Sequence, residues 1–170
     1  GTDRNAEDCL AQLKKEGVLT DYIKIHDGKK TNYHYVLWYQ DERTILIKHE
    51  EFDYEMPFVG VPKWIYLSSL GEKSLDFHTK ITEHLKKAPE RKLAFQPGTV
   101  QINLGHEKLK DIYKRSKVFI CNIEEAQKIL NSEEQNPQTL IMAIKELGPE
   151  IILLTNGKNG AYKKKKKSIY

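Results

Sequence analysis

The sequence predicts an α/β protein, a mainly parallel sheet flanked by helices with a small antiparallel β element ahead of it. Three observations lead there. From residue 64 onward four short apolar runs, 64–67, 92–95, 118–121 and 151–155, alternate with helical segments, which is the rhythm of β-α units. The intervals between them are long enough for the crossovers that parallel strands require. Residues 22–48 have another texture: Tyr, Ile, Val and Trp runs broken by Asp27-Gly28 and Gln40-Asp41-Glu42, the pattern of antiparallel strands joined by tight turns.

Taken in order, Asp3 or Asn5 can cap a first helix that carries Leu10 and Leu13 and stops at Gly17. Runs 22–26, 32–39 and 44–48 then read as a three-stranded meander, left through the acidic, aromatic stretch 50–57. Beyond it the expected helices are 74–87, 107–116, 124–130 and 139–147, each between two of the parallel strands.

Composition narrows the classes. The 170 residues suffice for one ordinary domain, and apolar residues at 39% fit a globular chain. The net charge of +4 is carried by one run, residues 163–167. Without those five lysines, 23 basic side chains face 24 acidic ones. The fold is therefore not a basic body built for nucleic acid, and the lysine run reads as a solvated hairpin arm. No apolar run is long enough to span a membrane and no charged-then-apolar leader is visible. Cys9 and Cys121 form no C-x-x-C pair, so a reduced, cytoplasmic setting is expected.

In open parallel sheets ligands gather at the carboxyl ends of strands, where loops run into helix N-termini. Three such ends carry chemistry. After 92–95 comes Gln96-Pro97-Gly98-Thr99, a loop able to approach a ligand closely. After 118–121 comes Asn122-Ile123-Glu124-Glu125, for which helix capping by Asn122 and dipole compensation by the glutamates suffice on local grounds. After 151–155 comes Asn156-Gly157-Lys158-Asn159-Gly160, a tight reversal whose amides could hold a phosphate but which is no Walker A loop. Ser68 and Ser69 end the first parallel strand as good loop formers.

The ordered set "FQPGTVQINLG", "VFICNIEEAQKIL" and "IILLTNGKNGAY", preceded by "LKKEGVLTDYIKIHDGKKTNYHYVLWYQDERTILI", resembles the ribokinase, or PfkB, family of sugar and nucleoside kinases. The resemblance implies a partial ribokinase-like domain over 1–170, with an antiparallel β lid at 20–50 and the β-α repeats of the central sheet at 60–162. It implies that Asn122 and Glu125 organise Mg²⁺ and its waters near the transferred phosphate, Glu125 through water. It implies that Thr155, Gly157 and Gly160 lie at the phosphates of ATP, with Lys158 in the same turn. Thr31 and Arg43 match lid positions over the substrate. Lids of this family can also join edge to edge, which implies a possible homodimer.

Two family elements do not occur in the sequence: the glycine-rich sugar-binding segment that follows the first strand, and the Gly-Ala-Gly-Asp motif that supplies the catalytic base. Gln96 stands where many relatives have an acidic or asparagine residue. The resemblance thus implies the middle portion of a Mg-ATP-dependent kinase for a sugar or nucleoside hydroxyl, inactive by itself. The alternative is a non-catalytic nucleotide-binding or interaction module of the same fold. The six histidines show no H-E-x-x-H or cysteine-paired spacing, and no G-x-S-x-G occurs, so a zinc centre and a serine nucleophile have no support.

Overall fold

The structure, a computed structural model, describes residues 1–40, 42–48, 50–57, 60 and 62–165, with the backbone alone at positions 42, 43, 47, 164 and 165. The chain divides into two compact units, Gly1–Val59 and Gly60–Tyr170.

The first unit holds helix α1, Arg4–Lys15, and a hairpin of β1, Tyr33–Tyr39, with β2, Glu42–Lys48. Asp3 is the N-cap of α1: its carboxylate accepts the Ala6 amide at 3.2 Å. The same carboxylate accepts the Thr31 amide at 3.0 Å and the Thr31 hydroxyl at 2.6 Å, so one side chain both starts the helix and anchors the approach to the hairpin. The predicted meander is corrected to two strands. Residues 22–26 form no strand, because Ile23 closes a turn onto Thr20 and Lys29 closes another onto His26, which leaves too short a run to pair.

The second unit is a five-stranded sheet in the order β3-β4-β5-β6-β7, formed by Trp64–Leu67, Lys92–Phe95, Ser116–Asn122, Ile151–Thr155 and Ala161–Lys165. The first four strands are parallel, and β7 returns antiparallel to β6. The connecting helices are α2 (Leu75–Lys86), α3 (Thr99–Leu104), α4 (Lys110–Arg115), α5 (Ile123–Leu130) and α6 (Pro137–Glu146). Helix α3 was not anticipated, since Pro97 and Gly98 read as loop residues; they stand ahead of a helix that opens at Thr99. The helix expected at 107–116 is shortened to α4, and Ser116 already belongs to β5.

Strands β3 to β6 are neighbours in chain order, and right-handed crossovers carry every connecting helix over the same face of the sheet. Burial follows that geometry. On the covered face Leu67, Leu93, Phe95, Phe119, Cys121, Ile152 and Leu154 are buried, and Phe95, Phe119 and Tyr113 of α4 meet with ring centroids 5.1–5.7 Å apart. On the other face Ala94, Val118, Ile120, Ile151 and Leu153 are only half-buried, while Trp64 and Tyr66 are exposed. A parallel sheet ordinarily has both faces covered; among the described residues this second face of the sheet is apolar and only half-buried. No helix among the described residues is long and apolar enough to cross a membrane.

Candidate functional site

The carboxyl ends of β3 to β6 bring the chemistry-bearing residues of the second unit to one edge. Asn122 ends β5 and Thr155 ends β6, and the two are partners in the parallel register. By the two-residue alternation of strands, Tyr66, Gln96, Asn122 and Thr155 all fall on the face opposite the helices. Polar groups thus line the rim of an apolar floor.

Asn122 is the N-cap of α5. Its Oδ1 accepts the Glu125 amide at 2.8 Å, and a carboxylate oxygen of Glu125 accepts the Asn122 amide at 2.9 Å. This reciprocal capping box satisfies two amides that the helix cannot bond internally. The bond uses Oε2 of Glu125 and leaves Oε1 outside the box. Beneath the pair Cys121 is buried, and burial, reinforced by the Glu125 carboxylate, pushes its thiol up to about 12. The thiol is therefore neutral and inert at physiological pH.

At the end of β6 the Thr155 hydroxyl lies 3.5 Å from the Cys121 carbonyl, across the strand pair. The turn that follows is a short 3-10 helix, Gly157–Asn159. Asn156 donates to the Gly160 carbonyl, Asn159 to Asn156 and Gly160 to Gly157. The amides of Gly157 and Lys158 stand outside that set, on an exposed turn. Gly160 has φ of +83, a conformation that suits glycine far better than any residue with a Cβ.

The β3 and β4 ends are locked together. Gln101, buried in α3, accepts the Gly98 amide at 3.0 Å and donates to the Ser68 carbonyl at 2.9 Å. A Cβ on Gly98 would stand 2.1 Å from the Ser69 hydroxyl oxygen, so the close approach itself requires glycine. Ser68 and Ser69 are exposed. Tyr66 donates its hydroxyl to Oε1 of Gln96 at 2.5 Å. Neither Tyr66 nor Gln101 stood out in the sequence; the alternation of Trp64 and Tyr66 with Ile65 and Leu67 was the available signal for Tyr66.

Thr31 and Arg43 belong to the first unit. The Thr31 hydroxyl is engaged with Asp3. Arg43 pairs through its backbone with Trp38, and its side chain lies outside the described residues. Of the lysine run, Lys163 is exposed on β7, and residues 166 and 167 lie outside the described residues.

The donor set can be tested against Mg²⁺. Among the described residues no three His, Cys, Asp or Glu side chains converge as a metal cage. Mg²⁺ keeps several waters and is commonly held by one or two carboxylates together with phosphate oxygens. One carboxylate with an oxygen outside the capping box, at a helix N-terminus beside a strand-end threonine, fits that mode.

A cavity of about 490 Å³ lies at the opposite, amino-terminal ends of the strands, lined among others by Lys92, Lys114, Arg115, Ser116, Lys117 and Glu150. Two of its cations have partners of their own. Arg115 donates to the Pro89 and Arg91 carbonyls at 2.9 and 2.6 Å, and Lys117 pairs with Glu150 at 2.6 Å. These two serve the carbonyls of the loop before β4 and a carboxylate.

The fold of this chain is that of several solved kinases. A ribokinase from Giardia lamblia matches 98% of the chain with a TM-score of 0.73 at 16% identity. A Burkholderia thailandensis nucleoside kinase, in complex with inosine, matches 96% with a TM-score of 0.70 at 13% identity. A fructokinase from Vibrio cholerae O395, in a form with fructose, ADP and calcium ion bound, matches 97% with a TM-score of 0.68 at 15% identity. The chain spans 55%, 53% and 57% of the length of these three proteins. A search of curated proteins returned no match. The sequence matches the family described as pfkB family carbohydrate kinase over residues 1–170, and the chain therefore belongs to that family.

Proposed function

We propose that the chain forms the lid and the central sheet of a Mg-ATP-dependent kinase that transfers the γ-phosphate to a hydroxyl of a sugar or nucleoside. The observation that carries this reading is the register pairing of Asn122 with Thr155 at one sheet edge, with Glu125 locked beside them by the capping box. Bound Mg-ATP would supply the phosphoryl group and the cation that offsets its charge. The chain's own residues do the positioning. Glu125 offers a carboxylate oxygen toward the metal's waters, and Asn122 holds Glu125 in place. Thr155 and the turn through Gly157 and Gly160 offer a hydroxyl and amides toward the phosphates, with Lys158 adding charge in the same turn.

In this reading residues 20–50 act as the lid and 60–162 as the central sheet, with Thr31 and Arg43 as lid positions. The hairpin also supports a homodimer formed through the lid, because Tyr35, Leu37, Trp38 and Tyr39 are all exposed on β1. The base that takes the hydroxyl proton is not assigned to any residue of the chain.

A second reading, a nucleotide-binding module without transfer, draws on the same capping box, since capping alone already accounts for the local geometry of Asn122 and Glu125. Phosphoryl transfer decides between them. The natural polypeptide that carries this sequence, given Mg-ATP and a panel of sugars and nucleosides, should produce ADP with at least one acceptor. Nucleotide binding with no turnover on any acceptor would favour the binding module.

A further inference from the structure

The hollow at the amino-terminal ends of the strands carries more positive charge than the fold uses. Its volume of about 490 Å³ lies in the range of small-molecule sites. Five cations line it, Arg91, Lys92, Lys114, Arg115 and Lys117, against the carboxylates of Glu90 and Glu150, a surplus of three positive charges. Helices α2, α4 and α6 end at this side of the sheet, just ahead of β4, β5 and β6. Each helix C-terminus carries about half a negative charge at most, so the three together offset about half of the surplus.

Structural duties account for two of the five cations. Arg115 closes the loop before β4 through the Pro89 and Arg91 carbonyls, and Lys117 neutralises Glu150. The other three keep donors in reserve. Arg91 bonds His84 through Nη1 and the Gly60 carbonyl, at 3.1 Å, through Nη2; its buried Nε has no hydrogen-bond partner and lies 4.0 Å from a Glu90 oxygen. Lys92 Nζ stands 5.4 Å from the centroid of the Trp64 ring, a contact that leaves its N–H groups without an acceptor. Lys114, exposed in the last turn of α4, makes no hydrogen bond or ion pair through its side chain among the described residues.

The rim is held by backbone. The Lys92 amide donates to the Lys63 carbonyl at 3.0 Å, and the Glu150 amide to the Ser116 carbonyl at 3.1 Å. Gly148, at φ +119, comes so close to α4 that a Cβ there would stand 2.7 Å from Lys114 Cα. Lys92 and Lys114 therefore stand on a strand start and a helix end. Cations with spare donors around one hollow suit an anion that offers several acceptor oxygens, and a phosphate monoester brings about two negative charges and three such oxygens. None of the described residues lining the hollow is aromatic, so a nucleobase finds no ring to stack on.

We propose that this hollow binds a compact, non-aromatic phosphate ester, held by Lys92 and Lys114 with the Arg91 guanidinium adding charge. It is a second site, remote from the candidate site. Strand β5 runs from Ser116 at the hollow to Asn122 at the opposite edge, a distance of about 20 Å at 3.3 Å per residue, which no small ligand spans. The proposal stands on charge and shape at this end of the sheet and goes beyond the kinase reading.

The test is calorimetric titration of the natural polypeptide with glucose 6-phosphate and, separately, with citrate, at fixed ionic strength, with and without ADP. Three proteins are compared: the unaltered one, Lys92→Gln/Lys114→Gln, and Lys14→Gln/Lys15→Gln, which removes the same charge from α1. The ester is expected to bind the unaltered protein equally well with and without ADP. Its affinity should fall about tenfold or more in Lys92→Gln/Lys114→Gln, the loss of charge-assisted hydrogen bonds, and hold in Lys14→Gln/Lys15→Gln, with thermal midpoints unchanged. No binding to the unaltered protein overturns the proposal. Displacement by ADP places the phosphate at the other ends of the strands and overturns it too. Equal losses in the two double variants reduce the effect to bulk charge, and citrate binding as tightly as the ester removes the phosphate assignment; either result overturns the proposal. Should Lys92→Gln/Lys114→Gln not fold, Lys114→Gln decides by itself, and unchanged affinity in it overturns the proposal.

Discussion

Asn122 and Glu125 each bind the other's backbone amide, at 2.8 and 2.9 Å, and so close the N-terminus of α5 with two side chains. The arrangement caps the helix, and under the proposed function the same pair also organises a ligand; the two roles can be separated by substitution.

Asn122→Ala removes the cap and should cost about 1 kcal/mol of stability. Asn122→Asp, which keeps an acceptor at the cap, should recover most of it. Urea unfolding midpoints of the three proteins check the expectation. A cost near zero for alanine would mean that Glu125 alone satisfies the helix end.

The one-sided sheet makes a second prediction. Phe119 is fully buried against Phe95 and Tyr113, whereas its neighbour Ile120 is half-buried on the open face. Phe119→Ala should destabilise by about 3–5 kcal/mol and Ile120→Ala by clearly less. Equal losses in the chain studied alone would show that the second face is packed as tightly as the first.

Much of this was legible in advance, and the exceptions have physical causes. The four parallel strands were visible because a short apolar run between turn residues leaves little choice, and β3 and β4 run over the expected residues. The capping box was visible because Asn-x-x-Glu is a local signal spanning four residues. Helix α3 was hidden because proline and glycine read as breakers, yet both stand just before the helix start, where they interrupt nothing. Residues 22–26 have strand composition but no strand to pair with, and composition cannot show a missing partner. The bond from Tyr66 to Gln96 joins residues 30 apart and depends on β3 and β4 being adjacent, which no local pattern encodes.

Gly98 should tolerate no side chain. An added methyl would stand 2.1 Å from Ser69 Oγ, and overpacking of this kind costs about 1–3 kcal/mol. Gly98→Ala should lower the thermal midpoint, and combining it with Ser69→Gly should restore most of the loss. Failure of the double variant to recover would place the strain elsewhere in the loop.

His78 should make stability depend on pH. It is 2% exposed, its Nδ1 lies 2.6 Å from the Ser74 carbonyl, and burial holds its pKa below the ordinary 6.5. The unfolded chain therefore takes up a proton that the folded chain refuses as pH falls below about 6.5, and stability drops in that direction. Urea midpoints between pH 7.5 and 5.5 should fall for the unaltered protein and flatten in His78→Gln. His84 is also held below its ordinary value, by burial and by Arg91 and Lys87, so any slope that survives in the variant has a named source.

The central claim is that Glu125 serves a metal-bound nucleotide as well as its helix. The most direct measurement is the affinity of the natural polypeptide for ADP with and without Mg²⁺, for the unaltered protein and for Glu125→Gln, whose amide oxygen can still accept the Asn122 amide. The account predicts tighter binding with Mg²⁺ in the unaltered protein, and most of that gain lost in Glu125→Gln at an unchanged thermal midpoint. An identical gain from Mg²⁺ in both proteins would contradict it and leave Glu125 a capping residue only.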